Sequence, residues 1–117
     1  MKLIKSDEKK WLEKQGYSKK IYLNENDLNR KGELVQKIKI KPGEIAESHY
    51  HKKQTEIFYF LNNNGYYIIN DKKVFVKPED VLVVEPGDKH VTINNTDKDF
   101  LYMVFKFNYD EKDIFWD

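Results

Sequence analysis

A chain of 117 residues has the length of one ordinary domain, and 39% hydrophobic residues, with 15% of the chain aromatic, suffice for a buried core. The 21 basic and 20 acidic residues leave a net charge of +1, which offers neither a basic surface for a nucleic-acid backbone nor a polybasic membrane signal. With no cysteine, disulfides, zinc–thiolate sites and thiol nucleophiles are excluded. No stretch is apolar enough for a signal peptide or a bilayer span, so a cytoplasmic protein is the expectation, with neither nucleic acid nor membrane as partner. Lysine supplies every basic residue except Arg30, which makes a bidentate arginine clamp for carboxylate or phosphate hard to build.

Residues 6–15 predict one short helix. Ser6 suits the N-cap, Asp7 and Glu8 the first turn, and Gly16 the position just past the end. Trp11 and Leu12 give it only a narrow apolar edge, so it belongs on the outside of the fold. After Tyr17 the texture changes to short apolar segments separated by turn signals. Ile21 to Leu23 is one such segment. Leu34, Ile38 and Ile40 alternate with Lys37 and Lys39, a period of two, and Pro42-Gly43 ends the run.

Glu56 to Leu61 predicts a dense strand, stopped by Asn62-Asn63-Asn64-Gly65. Tyr66 to Ile69 and Val74 to Val76 flank Asn70-Asp71-Lys72-Lys73, a hairpin signal. Val81 to Val84 is closed by Pro86-Gly87, and Val91 to Ile93 by Asn94-Asn95. Leu101, Met103, Phe105 and Phe107 fill one face of a last strand. Residues 108–117 read as an arm, acidic and ending in Phe115-Trp116, that packs on the domain or on a neighbour. Many short, evenly spaced strands argue for one all-β domain over residues 1–117, an antiparallel sandwich, jelly roll or barrel.

The chain has three histidines. His49 and His51 are two apart, which on a strand puts both imidazoles on one face. A short turn through Lys52-Lys53 brings the Glu56 carboxylate back to that face, and His90 arrives from a distant strand. A carboxylate inside a strand as apolar as Glu56-Ile57-Phe58-Tyr59-Phe60-Leu61 needs a partner, and a cation is the natural one. Three imidazoles and one carboxylate suit Mn, Fe, Co, Ni or Zn, with positions left open for chemistry. Taken singly, a His-x-His pair or one glutamate reads as ordinary solvated surface.

The segment Gly43-x5-His49-x-His51-x4-Glu56-x6-Asn63-x-Gly65 resembles the first motif of the cupins, and Glu85-Pro86-Gly87-Asp88-Lys89-His90-x3-Asn94 resembles the second. The similarity covers residues 34–107, and every histidine falls on a ligand position of the family. Asn63 stands where the first motif has Gly, Glu79 where the second opens with Gly, and Glu85 where it has Pro. Asn63 is expected to survive there because Asn tolerates the left-handed conformation. The resemblance implies a cupin-type jelly roll, a double-stranded β-helix barrel with the one short N-terminal helix outside it. It further implies one divalent transition metal ion on His49, His51, Glu56 and His90, a small-molecule ligand, and pairing of two copies as a homodimer.

Strand alternation then sketches the pocket. With Glu56 pointing in, so do Phe58 and Phe60; with His90 in, so do Thr92 and Asn94; Met103 joins them from the last strand. The wall is expected to be mostly aromatic and aliphatic, most of it core, with no acid or base beyond the ligands. Tyr59 and Tyr50 are expected to point away, and Tyr67 and Tyr102 are rim candidates. Two functions follow. One is a metal-dependent enzyme, of dioxygenase or isomerase/lyase type, on a compact, neutral or aromatic keto or enol compound. The other is a non-catalytic module that binds metal or a small molecule.

Overall fold

The computed structural model describes all 117 residues. Its elements are β1 (Leu12–Lys14), β2 (Tyr17–Leu23), α1 (Glu25–Leu28), β3 (Leu34–Ile40), β4 (Ile45–Tyr50), β5 (Thr55–Phe60), β6 (Tyr66–Ile69), β7 (Lys72–Phe75), β8 (Val81–Val84), β9 (His90–Ile93), β10 (Phe100–Phe107) and β11 (Phe115–Trp116). The strands form two antiparallel sheets. One has six strands in the order β1-β2-β3-β10-β5-β8, the other five in the order β11-β4-β9-β6-β7. Chain neighbours such as β3 and β4 sit in different sheets, the crossing pattern of a jelly roll.

The core lies between the sheets. β3 alternates as expected, with Leu34, Gln36, Ile38 and Ile40 buried. At one end of the sandwich Phe60, Tyr67 and Phe100 are sealed completely. Phe60 and Phe100 stack with centroids 5.7 Å apart and planes 2° from parallel. This end is filled by rings, and the cavity between the sheets lies toward the other end, where Glu56 pairs with Lys106 across β5 and β10.

Three expectations are corrected. Residues 6–15 are not a helix. Only Ser6–Glu8 turns, as a 3-10 helix, and β1 then makes a hairpin with β2 through Gln15-Gly16. A ten-residue helix with so narrow an apolar edge is marginal in water. Pairing with β2 satisfies the same backbone, and Trp11 packs between the Lys20 and Lys39 ammonium groups instead. Gly16, at φ 85, presses on β4: a Cβ there would lie 2.1 Å from the Ile45 carbonyl oxygen.

The second correction is β10. Phe100, Tyr102 and Val104 are its buried residues, so Met103, with Leu101 and Phe105, points to the outer face of the six-stranded sheet. The register decides this, because Tyr102 pairs with Ile38 and Phe60, both inward. The third concerns the motif glycines. Asn63 is not left-handed, whereas Glu79 is, at φ 75. The Glu79 N–H donates to Phe60 O at 2.8 Å, and the Phe60 N–H donates to Asp80 O at 3.1 Å, so pairing with the end of β5 holds it there.

Candidate metal centre

The ligands are aimed by a defect in β4. Ala46 pairs with Thr92 and His49 with His90, so three residue steps on β4 match two on β9. This is a β-bulge. Without it, alternation from the inward Ala46 would turn Ser48 and Tyr50 inward and both histidines out. With it, His49 and His51 face the cavity, and Tyr50 stacks outside on Phe115 at 5.4 Å. Glu56 enters from β5 and His90 opens β9.

Each imidazole meets a backbone carbonyl through Nδ1: His49 with Glu47 O at 2.9 Å, His51 with Asp113 O at 2.5 Å, His90 with Asp88 O at 3.0 Å. A carbonyl oxygen only accepts, so Nδ1 is the protonated nitrogen and Nε2 keeps its lone pair. One ligand atom from each of His49, His51, Glu56 and His90 lies within 4.8 Å of the others. Glu56 Oε1 is 2.7 Å from His51 Nε2 and 3.8 Å from His90 Nε2. His51 Nε2 is buried without a hydrogen-bond partner. Two lone pairs 2.7 Å apart call for a cation between them, a proton or a metal ion.

The electrostatics suit a metal ion. Burial, reinforced by the His90 ring, holds His49 down at about 4, and burial lowers His90 as well. Burial pushes the Glu56 carboxyl up, but in the metal-free protein a hydrogen bond from the His51 ring, with a proton between the two groups, and the Lys106 ammonium outweigh burial and hold it at about 2. Neutral imidazoles and an ionised carboxylate are the ligand forms a divalent ion takes. Gln54, 1% exposed, donates from Nε2 to Glu56 Oε1 at 3.4 Å.

Above the four ligands is a cavity of about 100 Å³. Phe58 and Thr92 line it, as the alternation implied. Phe60 and Asn94 also point inward, but both are sealed in the core, and Met103 is on the opposite face. Asn94 donates to Ile40 O at 2.7 Å and Lys98 O at 2.8 Å and serves the turn after β9. The wall is more polar than expected, because Tyr17, Gln36, Tyr102 and Lys106 face in. Burial holds the Tyr102 and Tyr17 phenols above their ordinary range, so both carry their protons. The C-terminal arm adds Ile114 and Trp116, the latter with its ring 5.4 Å from that of His49. Of the two rim candidates, Tyr102 is in the wall and Tyr67 is sealed in the core. Lys106 was hidden by the double apolar character of β10, and Tyr17 and Gln36 by strands whose inward ends no motif marks.

The cupin domain family profile matches residues 36–106. The oxalate-binding protein of Thermotoga maritima is 32% identical over 84 residues, 70% of this chain and 69% of that protein. Solved structures agree in fold. The crystal structure of a predicted oxalate decarboxylase from Thermotoga maritima superposes with a TM-score of 0.77 at 23% identity, covering 91% of this chain and 98% of that one. KdgF from Halomonas sp. gives 0.79 at 16% identity over 95% and 96% of the two chains. The polyketide cyclase RemF from Streptomyces resistomycificus gives 0.79 at 15% over 97% and 89%. Two facing antiparallel sheets, the motif histidines gathered at one end of them and a profile match spanning most of the barrel carry one conclusion: this chain belongs to the cupin family.

Proposed function

We propose that His49, His51, Glu56 and His90 hold one divalent transition metal ion, and that the chain is an enzyme acting on a small oxygen-bearing organic acid. The observation that carries this is the convergence of three imidazoles, each with Nδ1 on a backbone carbonyl, and a carboxylate at the floor of a small cavity with Tyr17, Tyr102 and Lys106 in its wall. When bound, the ion supplies Lewis acidity for adjacent substrate oxygens or a site for dioxygen. The chain's own groups do the rest. Lys106 favours an anionic substrate, which shifts the expectation from a neutral compound toward a keto, enol or hydroxy acid. The Tyr102 hydroxyl, protonated and in the cavity wall, is placed to donate a hydrogen bond to a substrate oxygen. Phe58, Ile114 and Trp116 limit water. A cavity this small, below the roughly 300–1,000 Å³ of drug-sized sites, suits a compact molecule.

The test is elemental analysis of the protein purified without added metal, beside His51→Ala. About one equivalent of a transition metal, lost in the variant, is the expected result; none in either, with none taken up on reconstitution, removes the reading. Loss of turnover without oxygen then separates dioxygenase from isomerase or lyase chemistry.

A second reading is a non-catalytic module that holds a small dicarboxylate. The relative from Thermotoga maritima named as oxalate-binding favours it. It requires heat of binding with oxalate and no turnover of oxalate or keto acids; turnover of any of them removes it.

A further inference from the structure

Residues 113–117 supply no ligand of the candidate centre, yet they grip it. The Asp113 carboxylate accepts hydrogen bonds from three consecutive backbone N–H groups, those of Lys52 at 2.8 Å, Lys53 at 2.9 Å and Gln54 at 3.0 Å. These belong to the turn that carries the chain from His51 to Glu56. The carbonyl of the same residue accepts from His51 Nδ1 at 2.5 Å. Asp113 is itself buried, 8% exposed. Beyond it, Phe115 pairs with Tyr50 and Trp116 with His49, and the Asp117 N–H donates to Ser48 O at 3.0 Å.

The three histidines are not held alike. His49 and His90 find their carbonyls two residues back on their own segments. His51 finds its carbonyl 62 residues away, in the arm. Local chain geometry therefore orients two of the rings, and only a tertiary contact orients the third. The clamped turn also carries Gln54, whose amide reaches Glu56. One residue at the end of the chain thus bears on two of the four ligands.

We propose that Asp113 is a positioning residue of the metal centre: its carbonyl selects the His51 tautomer that frees Nε2, its carboxylate fixes the turn from His51 to Glu56, and β11 ties it along β4. The proposal rests on the reading of His49, His51, Glu56 and His90 as metal ligands. An alanine at 113 keeps the carbonyl but loses the anchor that holds it against His51. Partners that orient ligating groups are worth about 10- to 100-fold in metal affinity.

The test compares full-length wild type with Asp113→Ala, Asp113→Asn and Phe115→Ala, the last loosening the arm at its stack on Tyr50 outside the cavity. Co²⁺ titrations are followed by visible absorption. The tautomer of His51 is read from long-range proton–nitrogen correlation spectra of the metal-free proteins at mildly alkaline pH. The wild type is expected to show His51 protonated at Nδ1. Asp113→Ala is expected to show mixed tautomers and Co²⁺ affinity about 10- to 100-fold weaker, with Asp113→Asn between the two and Phe115→Ala within about threefold of wild type. A folded Asp113→Ala with wild-type tautomer and affinity overturns the proposal. So does an equal loss in Phe115→Ala, which would assign the effect to packing of the arm. If the alanine variant does not fold, Asp113→Asn is read by the same criteria. A wild type that takes up no Co²⁺ sinks the metal reading instead, and the tautomer spectra alone then decide whether Asp113 fixes His51.

Discussion

A backbone carbonyl at each Nδ1 decides what these histidines do, since it turns Nε2 of each ring toward the shared site, with those of His51 and His90 within 3.8 Å of Glu56. The shifts around them have a consequence for the metal-free protein. Unfolded, His49 titrates near 6.5; folded, burial holds it at about 4. Between those values the unfolded chain binds a proton that the folded chain refuses, so stability rises with pH across the window and is lost as pH falls. His90 is lowered too and acts in the same direction. Glu56, ordinarily near 4.5 and here about 2, adds stability that is present above 4.5 and lost toward 2. Urea unfolding of the metal-stripped protein should therefore weaken from neutral pH downward, with His49 contributing up to about 1.4 kcal/mol per pH unit. His49→Gln should flatten that slope; an unchanged slope would contradict the argument. At this scale the four candidate ligands were readable, because all three histidines and one glutamate fall in motif spacing. Asp113, Gln54 and Lys106 were not. An aspartate whose partners lie 59 to 61 residues away leaves no local mark.

Elements were legible where only one face is apolar. β3 alternates cleanly and was read in the right phase. β10 is apolar on both faces, Phe100, Tyr102 and Val104 against Leu101, Met103 and Phe105, so periodicity fits either orientation and only the register with β3 and β5 settles it. The β4 bulge had no signature at all. The short α1 was also missed, although Asn24 and Asp27 form a reciprocal capping box. The Asn-rich turn before β6 matters through packing. Gly65 is not left-handed, but a Cβ there would lie 2.3 Å from Phe100 Cδ2 and 2.9 Å from Ile93 O. Phe100 is sealed and stacked on Phe60, so it has nowhere to move. Gly65→Ala should cost about 1–3 kcal/mol by overpacking, read as a lower urea midpoint with unchanged slope. A midpoint within error of wild type would mean that the ring yields.

As a whole, the molecule closes one end of its sandwich with aromatic rings and opens the other onto the candidate centre. Its outer surface is uneven. On the six-stranded sheet the N-terminal segment covers β2 and β3, while Leu61, Val81, Val83 and Phe107 stay exposed beside half-buried Leu101, Met103 and Phe105. We propose that a second copy covers this face. Sedimentation velocity should show a dimer in the wild type and a monomer with an intact circular dichroism spectrum in Val83→Lys; a monomeric wild type would reject the pairing.

The two tryptophans are divided in a way that has a use. Trp116 stands 5.4 Å from the His49 ring, and Trp11 lies on the outside of the barrel between two lysines. An open-shell ion seated among the histidines would darken the fluorescence of the first and spare the second. Occupancy of the centre would then be written in the protein's own emission, with an internal standard supplied by the same chain.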